Sequence, residues 1–302
     1  MAALEELQGS IRTAADRAGG AVVGVGHRWG LGSGVVIANG KVLTNAHNVR
    51  AETVTVTFGE GRTAEATVVG TDADGDLAVL DVDTGDVGPI EWAEESAGLG
   101  TAVIALSNPG GRGLRASLGF VSATERAFRG PRGRRISGSI EHSAPLPRGS
   151  SGGPVVDMEG RFLGINTNRT GDGFYLAIPA DTALRERVDA LLRGDSVRPV
   201  RLGVAVAPPH LARRLRTAVG LPEREGLLVQ AVEDGSPAEA ARLQRGDLIV
   251  AAQGKTVTGA DELHETLAAA GGERVALTVV RGEEERSVSV ALNPEPSERG
   301  QA

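Results

Sequence analysis

Three side chains in this sequence, a serine, a histidine and an aspartate, could together carry nucleophilic acyl chemistry. Ser151 lies in Arg148-Gly149-Ser150-Ser151-Gly152-Gly153-Pro154, a stretch too glycine-rich for a helix or strand interior, where each glycine costs backbone entropy without packing in return. Val155-Val156 follows at once and reads as the start of a buried strand. A tight polar turn delivered onto a buried strand holds a hydroxyl still at the edge of a core, although taken alone the stretch also reads as a Gly/Ser surface turn. A serine nucleophile needs a base within hydrogen-bond reach and a third group that orients the base. Of the five histidines, His27, His142, His210 and His264 are expected on surfaces or in turns. His47 differs, because Thr44-Asn45-Ala46-His47 follows an apolar run and would sit where a strand meets a rim. Downstream, Asp72-Ala73-Asp74-Gly75-Asp76 runs directly into Leu77-Ala78-Val79-Leu80. A calcium loop would need glycine at its sixth position and glutamate at its twelfth, where this chain has Leu77 and Asp83. Asp76, the last acid before the buried run, is the carboxylate best placed to be held against a histidine.

The elements that must position these groups are short strands. Residues Met1 to Ala18 place Leu4, Leu7, Ile11, Ala14 and Ala18 on one stripe of a helix, which Gly19-Gly20 ends. It is expected to lie on the domain that follows. Val22–Val25, Gly32–Ile37, Lys41–Thr44, Thr53–Phe58, Thr63–Val69 and Leu77–Val82 read as strands, with Asn39-Gly40 as a hairpin turn. They predict a small antiparallel barrel over about residues 21–97. A second run of the same kind covers about 98–180, and a closing helix over 181–193 puts Leu184, Val188, Leu191 and Leu192 on one face. The polar stretch 195–199 is expected to be a linker. A third unit over 200–293 mixes strands with two capped helices, one opening at Ser236-Pro237-Ala238-Glu239 and one at Thr258-Gly259-Ala260-Asp261. Residues 294–302 read as a disordered tail.

Composition narrows the function. The chain has 302 residues and a net charge of -7, which gives no general support to nucleic-acid binding. It has no cysteine, so a disulfide framework, a thiolate metal site and a cysteine nucleophile are excluded. No apolar run approaches the roughly 18–20 residues that would span a bilayer. Nor does a basic segment followed by an apolar one open the sequence. As written, the chain is expected in the cytoplasm, or outside it if its N-terminus has been trimmed.

The order His47, Asp76, Ser151, with spacings of 29 and 75 residues, resembles the chymotrypsin-type serine proteases. More narrowly the chain resembles the HtrA (Deg) family, which joins such a protease to PDZ domains. Gly32-Ser33-Gly34-Val35-Val36-Ile37, Thr44-Asn45-Ala46-His47, Asp76-Leu77-Ala78-Val79-Leu80, Gly119-Phe120-Val121-Ser122-Ala123, Ser151-Gly152-Gly153-Pro154 and Ala177-Ile178-Pro179 match family blocks in order. Gly235-Ser236-Pro237-Ala238 and Gly246-Asp247-Leu248-Ile249 match PDZ blocks, and the likeness covers about residues 20–292. It implies a mainly β fold of two antiparallel six-stranded β-barrels (chymotrypsin-like), spanning 21–194 with their closing helix, after an N-terminal helix (1–20), and followed by an α+β PDZ domain.

The resemblance also implies roles. Ser151 would be the nucleophile, His47 the general base and then acid, and Asp76 the group that fixes its tautomer. The backbone N–H groups of Gly149 and Ser151 would form the oxyanion hole. Leu146, Ile165 and Ile178 are expected to wall a specificity pocket with no acid at its base, suited to a small or medium apolar side chain. Arg201-Leu202-Gly203-Val204 would be the PDZ carboxylate loop, able to hold a peptide C-terminus. The expected partners are unfolded polypeptides and peptide C-termini, with neither cofactor nor metal nor nucleic acid. A homotrimer is implied by the family, although Ala18-Gly19-Gly20-Ala21 lacks the aromatics that the family uses there. A silent or chaperone-like scaffold and a regulatory protease with one dedicated partner remain as alternatives. Asn48 stands where the family is usually apolar, and Pro145 and Pro147 stiffen the loop before Ser151. Arg112, Arg115, Arg126, Arg129, Arg132, Arg134 and Arg135 are expected on a solvated loop.

Overall fold

The computed structural model describes residues 2–26, 32–130, 135–170, 173–195, 201–270 and 274–292. His27, Arg132, Arg134, residues 196–199 of the expected linker and the expected tail lie outside the described residues. The chain divides into two units, Met1–Arg198 and Pro199–Ala302.

The first unit opens with α1 (Ala2–Gly19). Ala14 and Ala18 at its C-terminal end are buried while Leu4 and Leu7 stay exposed, so only half of its apolar stripe packs. Strands β1 (Val22–Val25), β2 (Gly32–Ala38), β3 (Lys41–Thr44), β4 (Thr53–Thr57), β5 (Thr63–Asp72) and β6 (Leu77–Asp81) close a barrel in the order β1-β2-β3-β6-β5-β4. Asn39-Gly40 makes the β2–β3 turn, with Gly40 at φ +73°, a conformation that glycine reaches without a Cβ clash.

A second closed barrel follows, from β7 (Ala102–Ser107), β8 (Arg115–Arg129), β9 (Arg135–His142), β10 (Pro154–Val156), β11 (Phe162–Arg169) and β12 (Tyr175–Pro179), in the order β10-β11-β12-β9-β8-β7. The arginines expected on a loop are in part strand residues, because β8 and β9 form a long hairpin that carries Arg115, Arg126, Arg129 and Arg135. Val22, Leu43 and Leu80 share a core with Ile104, Leu106 and Phe162, so the two barrels pack as one body. Burial of this kind contributes about 25 cal/mol per Å² of apolar surface. Helix α2 (Thr182–Leu192) closes the unit. Asp181 caps it by accepting from the Leu184 N–H at 2.8 Å, and Arg187 ties it to Asp72 at 2.6 Å.

The second unit comprises β13 (Val204–Ala207), α3 (Pro209–Ala218), β14 (Leu227–Val232), α4 (Pro237–Ala240), β15 (Leu248–Ala252), β16 (Lys255–Thr256), α5 (Ala260–Ala269), β17 (Arg274–Arg281) and β18 (Glu284–Ala291). Its sheet runs β13-β14-β15-β17-β18, with β16 on β15, so β13 is an edge. The capping residues at α4 work as their types suggest. Ser236 Oγ accepts from the Glu239 N–H at 3.2 Å and Glu239 Oε2 accepts from the Gly235 N–H at 2.6 Å. Helix α3 is an addition to the two helices read from sequence; Pro209 sits at its first turn and Ala212 and Arg216 are buried. Its apolar residues are few and set among arginines, so its composition gives little sign of a packed helix although Leu211, Ala212 and Leu215 share one face.

Candidate active site

Strand β3 ends at Thr44, and a short 3₁₀ turn (Ala46–Asn48) then presents His47 at the rim of the first barrel. The β5–β6 connection brings Asp76 beneath it. Asp76 is 1% exposed and adopts φ +56°, a left-handed conformation that aspartate tolerates better than most residues but that still carries strain. Three donors hold its carboxylate. The His47 N–H reaches Oδ1 at 3.1 Å, His47 Nδ1 lies 2.9 Å from both oxygens, and Thr167 Oγ1 donates to Oδ2 at 2.7 Å. The Asn45 amide donates to the Asp76 carbonyl at 2.9 Å. Of the rival calcium ligands, Asp72 is taken up by Arg187 and the Gly75 N–H, so this loop is a carboxylate anchor rather than a cation cradle.

The Ser151 turn is fixed mainly through its backbone. The Ser151 carbonyl accepts from the Ser33 N–H at 2.8 Å and from the Asn48 amide at 2.9 Å. Ser33 Oγ donates to the Gly149 carbonyl at 2.8 Å and accepts from the Asn108 N–H at 3.0 Å. The Gly152 N–H goes to the Asn166 carbonyl and the Gly153 N–H to the Ser150 carbonyl. Gly149 and Gly152 have φ of +88° and +90°, and a Cβ on Gly152 would lie 2.0 Å from the Ser33 carbonyl oxygen, so no other residue fits there. The N–H groups of Gly149 and Ser151 have no acceptor among the described residues. The Ser151 hydroxyl donates to the Thr167 carbonyl at 2.8 Å instead of to His47. Thr167 therefore touches both halves of the site, Asp76 by its side chain and Ser151 by its main chain.

His47, Asp76, Gly149 and Ser151 line one cleft of about 480 Å³ together with Leu146, Asn166, Thr167 and Tyr175. Of the three expected pocket walls, Leu146 alone is among them. Ile165 and Ile178 are not cleft walls. They pair across β11 and β12 and are buried in the core of the unit. The chain reaches the cleft only beyond Ile165, where the β11–β12 register shifts between Asn166 and Asn168 and Asn166, Thr167, Asn168 and Arg169 all line it.

His142 is also corrected. It is fully buried on β9, stacked on Tyr175 with ring centroids 5.9 Å apart. Its Nε2 lies 2.9 Å from Asn166 Oδ1 and its Nδ1 has no partner. Burial pushes its pKa down to about 4, and the Asn166 bond opposes the shift. The Asn166 amide donates to the Gly153 carbonyl at 3.0 Å, which joins this histidine to the Ser151 turn. Thr167, Asn48, Ser33 and His142 were the residues that sequence reasoning missed or misplaced. Only Asn48, a polar residue where the family is usually apolar, carried a signal.

In the second unit Arg201, Leu202, Gly203 and Val204 line a groove with Leu263, His264 and Leu267 of α5. The Gly203 carbonyl accepts from the Glu233 N–H and the Leu202 carbonyl from the Ala238 N–H. The N–H groups of Leu202 and Gly203 have no acceptor among the described residues, and β13 beside them is an open sheet edge.

Residues 32–165 match the trypsin-like peptidase domain and residues 200–292 match the PDZ domain. The chain is 33% identical over 287 residues to a probable periplasmic serine endoprotease DegP-like of Brucella suis, covering 90% of this chain and 54% of that protein. The chain thus spans about half the length of that relative. It is 35% identical over 279 residues to the putative serine protease HhoA of Synechocystis, covering 86% and 70% of the two chains. Among solved structures, the HtrA-type protease AlgW with decapeptide aligns with a TM-score of 0.69 at 26% identity, covering 95% of this chain and 99% of that one. A serine endoprotease from Yersinia pestis aligns with a TM-score of 0.65 at 29% identity, covering 93% and 96%. With both domain matches in sequence and this pairing of barrels and sheet, the chain belongs to the HtrA (Deg) family of serine proteases.

Proposed function

We propose that this chain is a serine endopeptidase that cleaves unfolded or misfolded polypeptides, with its PDZ unit holding peptide C-termini. The observation that carries this reading is the contact of His47 Nδ1 with both Asp76 oxygens at 2.9 Å, in the same cleft as Ser151. With the Nδ1–H donated as a hydrogen bond to Asp76, Nε2 is the ring nitrogen left to act as a base. For this chemistry the Ser151 hydroxyl must leave the Thr167 carbonyl for Nε2. Oγ then bonds to the substrate carbonyl carbon as its proton passes to Nε2, and the Gly149 and Ser151 N–H groups receive the oxyanion. Collapse breaks the peptide C–N bond while Nε2 returns the proton to the leaving amine. Water then repeats the attack on the acyl-enzyme with His47 as base.

For the PDZ unit, the Leu202 and Gly203 N–H groups are the donors for a terminal carboxylate, and β13 is the edge to which the peptide adds as a strand. The solved AlgW relative holds a decapeptide, which supports peptide binding. Relatives from Brucella and Haemophilus are named periplasmic, which supports action outside the cytoplasm. No helix among the described residues is long and apolar enough to cross a membrane. Assembly as a trimer rests on the family alone, and a light-scattering mass tests it.

One observation favours a silent scaffold as the second reading: the Ser151 hydroxyl is occupied by the Thr167 carbonyl. Digestion of casein by the chain beside Ser151→Ala separates the two. Loss of about a million-fold in kcat on substitution supports the peptidase. Equal cleavage by both proteins removes Ser151 from its role, and cleavage by neither, with peptide binding retained, supports the scaffold.

A further inference from the structure

The chain is acidic overall, with a net charge of -7, yet its cleft is basic. Four arginines line it, Arg50, Arg129, Arg148 and Arg169, against a single carboxylate, Asp76. Asp76 is buried and already engaged by His47 and Thr167. The arginines come from four separate segments: Arg50 follows the His47 turn, Arg129 ends β8, Arg148 precedes Gly149, and Arg169 ends β11. Arg50 stands three residues from His47, Arg148 three from Ser151, and Arg169 two from Thr167. All four are exposed. Arg50 and Arg148 have no ion-pair partner among the described residues. Arg169 lies over the Tyr175 ring at 5.6 Å, a contact that orients the guanidinium without neutralising it.

Convergence from separate segments distinguishes this from a charge run on one solvated face. Like charges gathered around a concave site repel one another and persist at a cost that an anionic ligand removes. Guanidinium groups bind carboxylates bidentately. An extended substrate rises about 3.3 Å per residue, so side chains within a few residues of the scissile bond pass within reach of these arginines.

We infer that this cleft selects polypeptide segments bearing aspartate or glutamate within a few residues of the cleaved bond, with Arg50, Arg148 and Arg169 as the specificity-determining residues. This rests on the peptidase reading above and names its substrate class. The acidic flanks add to the apolar side chain that Leu146 favours beside the scissile bond. Acidic polypeptide would then be drawn to the active site by a local field that opposes the charge of the whole chain.

The test uses the full chain and C-terminally amidated fluorogenic peptides, so that the PDZ groove has no terminal carboxylate to hold. Peptides identical except for Glu, Gln or Lys flanking an apolar residue are compared. An exposed ion pair is worth up to about fivefold, so two or three give about tenfold in kcat/KM for Glu over Gln at about 0.05 M salt. The preference should fall toward parity at about 0.5 M, and Lys peptides should be the poorest. The double variant Arg50→Gln/Arg169→Gln should bring the ratio of kcat/KM for the Glu and Gln peptides close to one, whatever its effect on the absolute rate. Anisotropy of the same labelled peptides on Ser151→Ala reads the selectivity without turnover. Absence of Ser151-dependent cleavage of every peptide sinks the peptidase reading and this inference with it, whereas Ser151-dependent cleavage without a Glu preference overturns this inference alone. Equal binding and equal cleavage of Glu and Gln peptides overturn it. So does a labelled single-stranded DNA that binds more tightly than the Glu peptide and displaces it.

Discussion

The two halves of the cleft are prepared to different degrees. The Asp76 carboxylate takes three hydrogen bonds and the His47 ring is set against it. Across the cleft, the Ser151 backbone is equally well held by Ser33 and Asn48, but its hydroxyl rests on the Thr167 carbonyl. The difference follows from what each half has to bury. A carboxylate out of water must be satisfied continuously, because an unpaired buried charge is very costly. A neutral hydroxyl has no such constraint, and exchanging one acceptor for another changes the energy by about 1 kcal/mol. Preorganisation is therefore concentrated where charge resides, and on the proposed mechanism the adjustment left to make is at the Ser151 side chain.

Asp76→Asn attacks the prepared half directly and should have the largest effect. An amide can present its NH₂ to His47 Nδ1 and reverse the tautomer, which lowers kcat by about 10⁴-fold while the fold survives. Single-turnover kinetics on the peptide substrate read it. A loss below about tenfold would show that the His47 half does not depend on its carboxylate.

The second prediction concerns the other half, through the buried His142 beneath the nucleophile turn. With a folded pKa of about 4 and an ordinary value near 6.5, the unfolded chain binds the extra proton between these limits. Stability is then full above about pH 6.5 and is lost as the pH falls toward 4, by about 3 kcal/mol in all. His142→Gln should flatten that part of the profile. Both tryptophans, Trp29 and Trp92, belong to the unit Met1–Arg198, so fluorescence-detected unfolding follows this unit. An unchanged pH profile in the variant would free the nucleophile turn from any tie to His142.

What was legible in sequence divides along the same line. His47 and Asp76 announce themselves because each follows or precedes an apolar run, and Ser151 because its turn needs glycines. The strands and both barrels follow from period-two patterning and from the Asn39-Gly40 turn. Ile165 and Ile178 misled because apolarity says a side chain is buried without saying whether it faces core or cleft. A one-residue shift along β11 exchanges the two. His142 misled because a histidine's burial depends on its neighbours across the sheet, here Tyr175 and Val121. Thr167 could not be found at all, since half of its work is done by a main-chain carbonyl that every residue possesses.

Thr167→Val sharpens the comparison because it separates those two tasks. Valine keeps the shape and the carbonyl that accepts from Ser151, and removes only the donor to Asp76 Oδ2. A hydrogen bond to a charged group contributes about 1.5–3 kcal/mol, so kcat should fall about 30-fold through the His47 half alone. The readout is kcat against KM: a loss confined to KM would mean that Thr167 serves substrate binding rather than Asp76.

Asn48→Leu is the smallest and most local change, and it bears on the half whose backbone is fixed. The Asn48 amide donates to the Ser151 carbonyl at 2.9 Å and to Thr44 Oγ1 at 3.0 Å, so it links the residue after His47 directly to Ser151. Leucine has the same branching and an apolar character usual for the family at this place. The Ser151 carbonyl would keep its bond from the Ser33 N–H, so the turn remains attached and only its second tether is lost. One such bond is worth about 1 kcal/mol, or about fivefold in kcat with KM unchanged. The losses from Asn48→Leu and Thr167→Val should combine additively in kcat, because the bonds they remove lie in different halves of the site. A clear departure from additivity would mean that the two halves are coupled through Thr44 and Asn48, so that the backbone of the Ser151 turn also bears on how His47 is held.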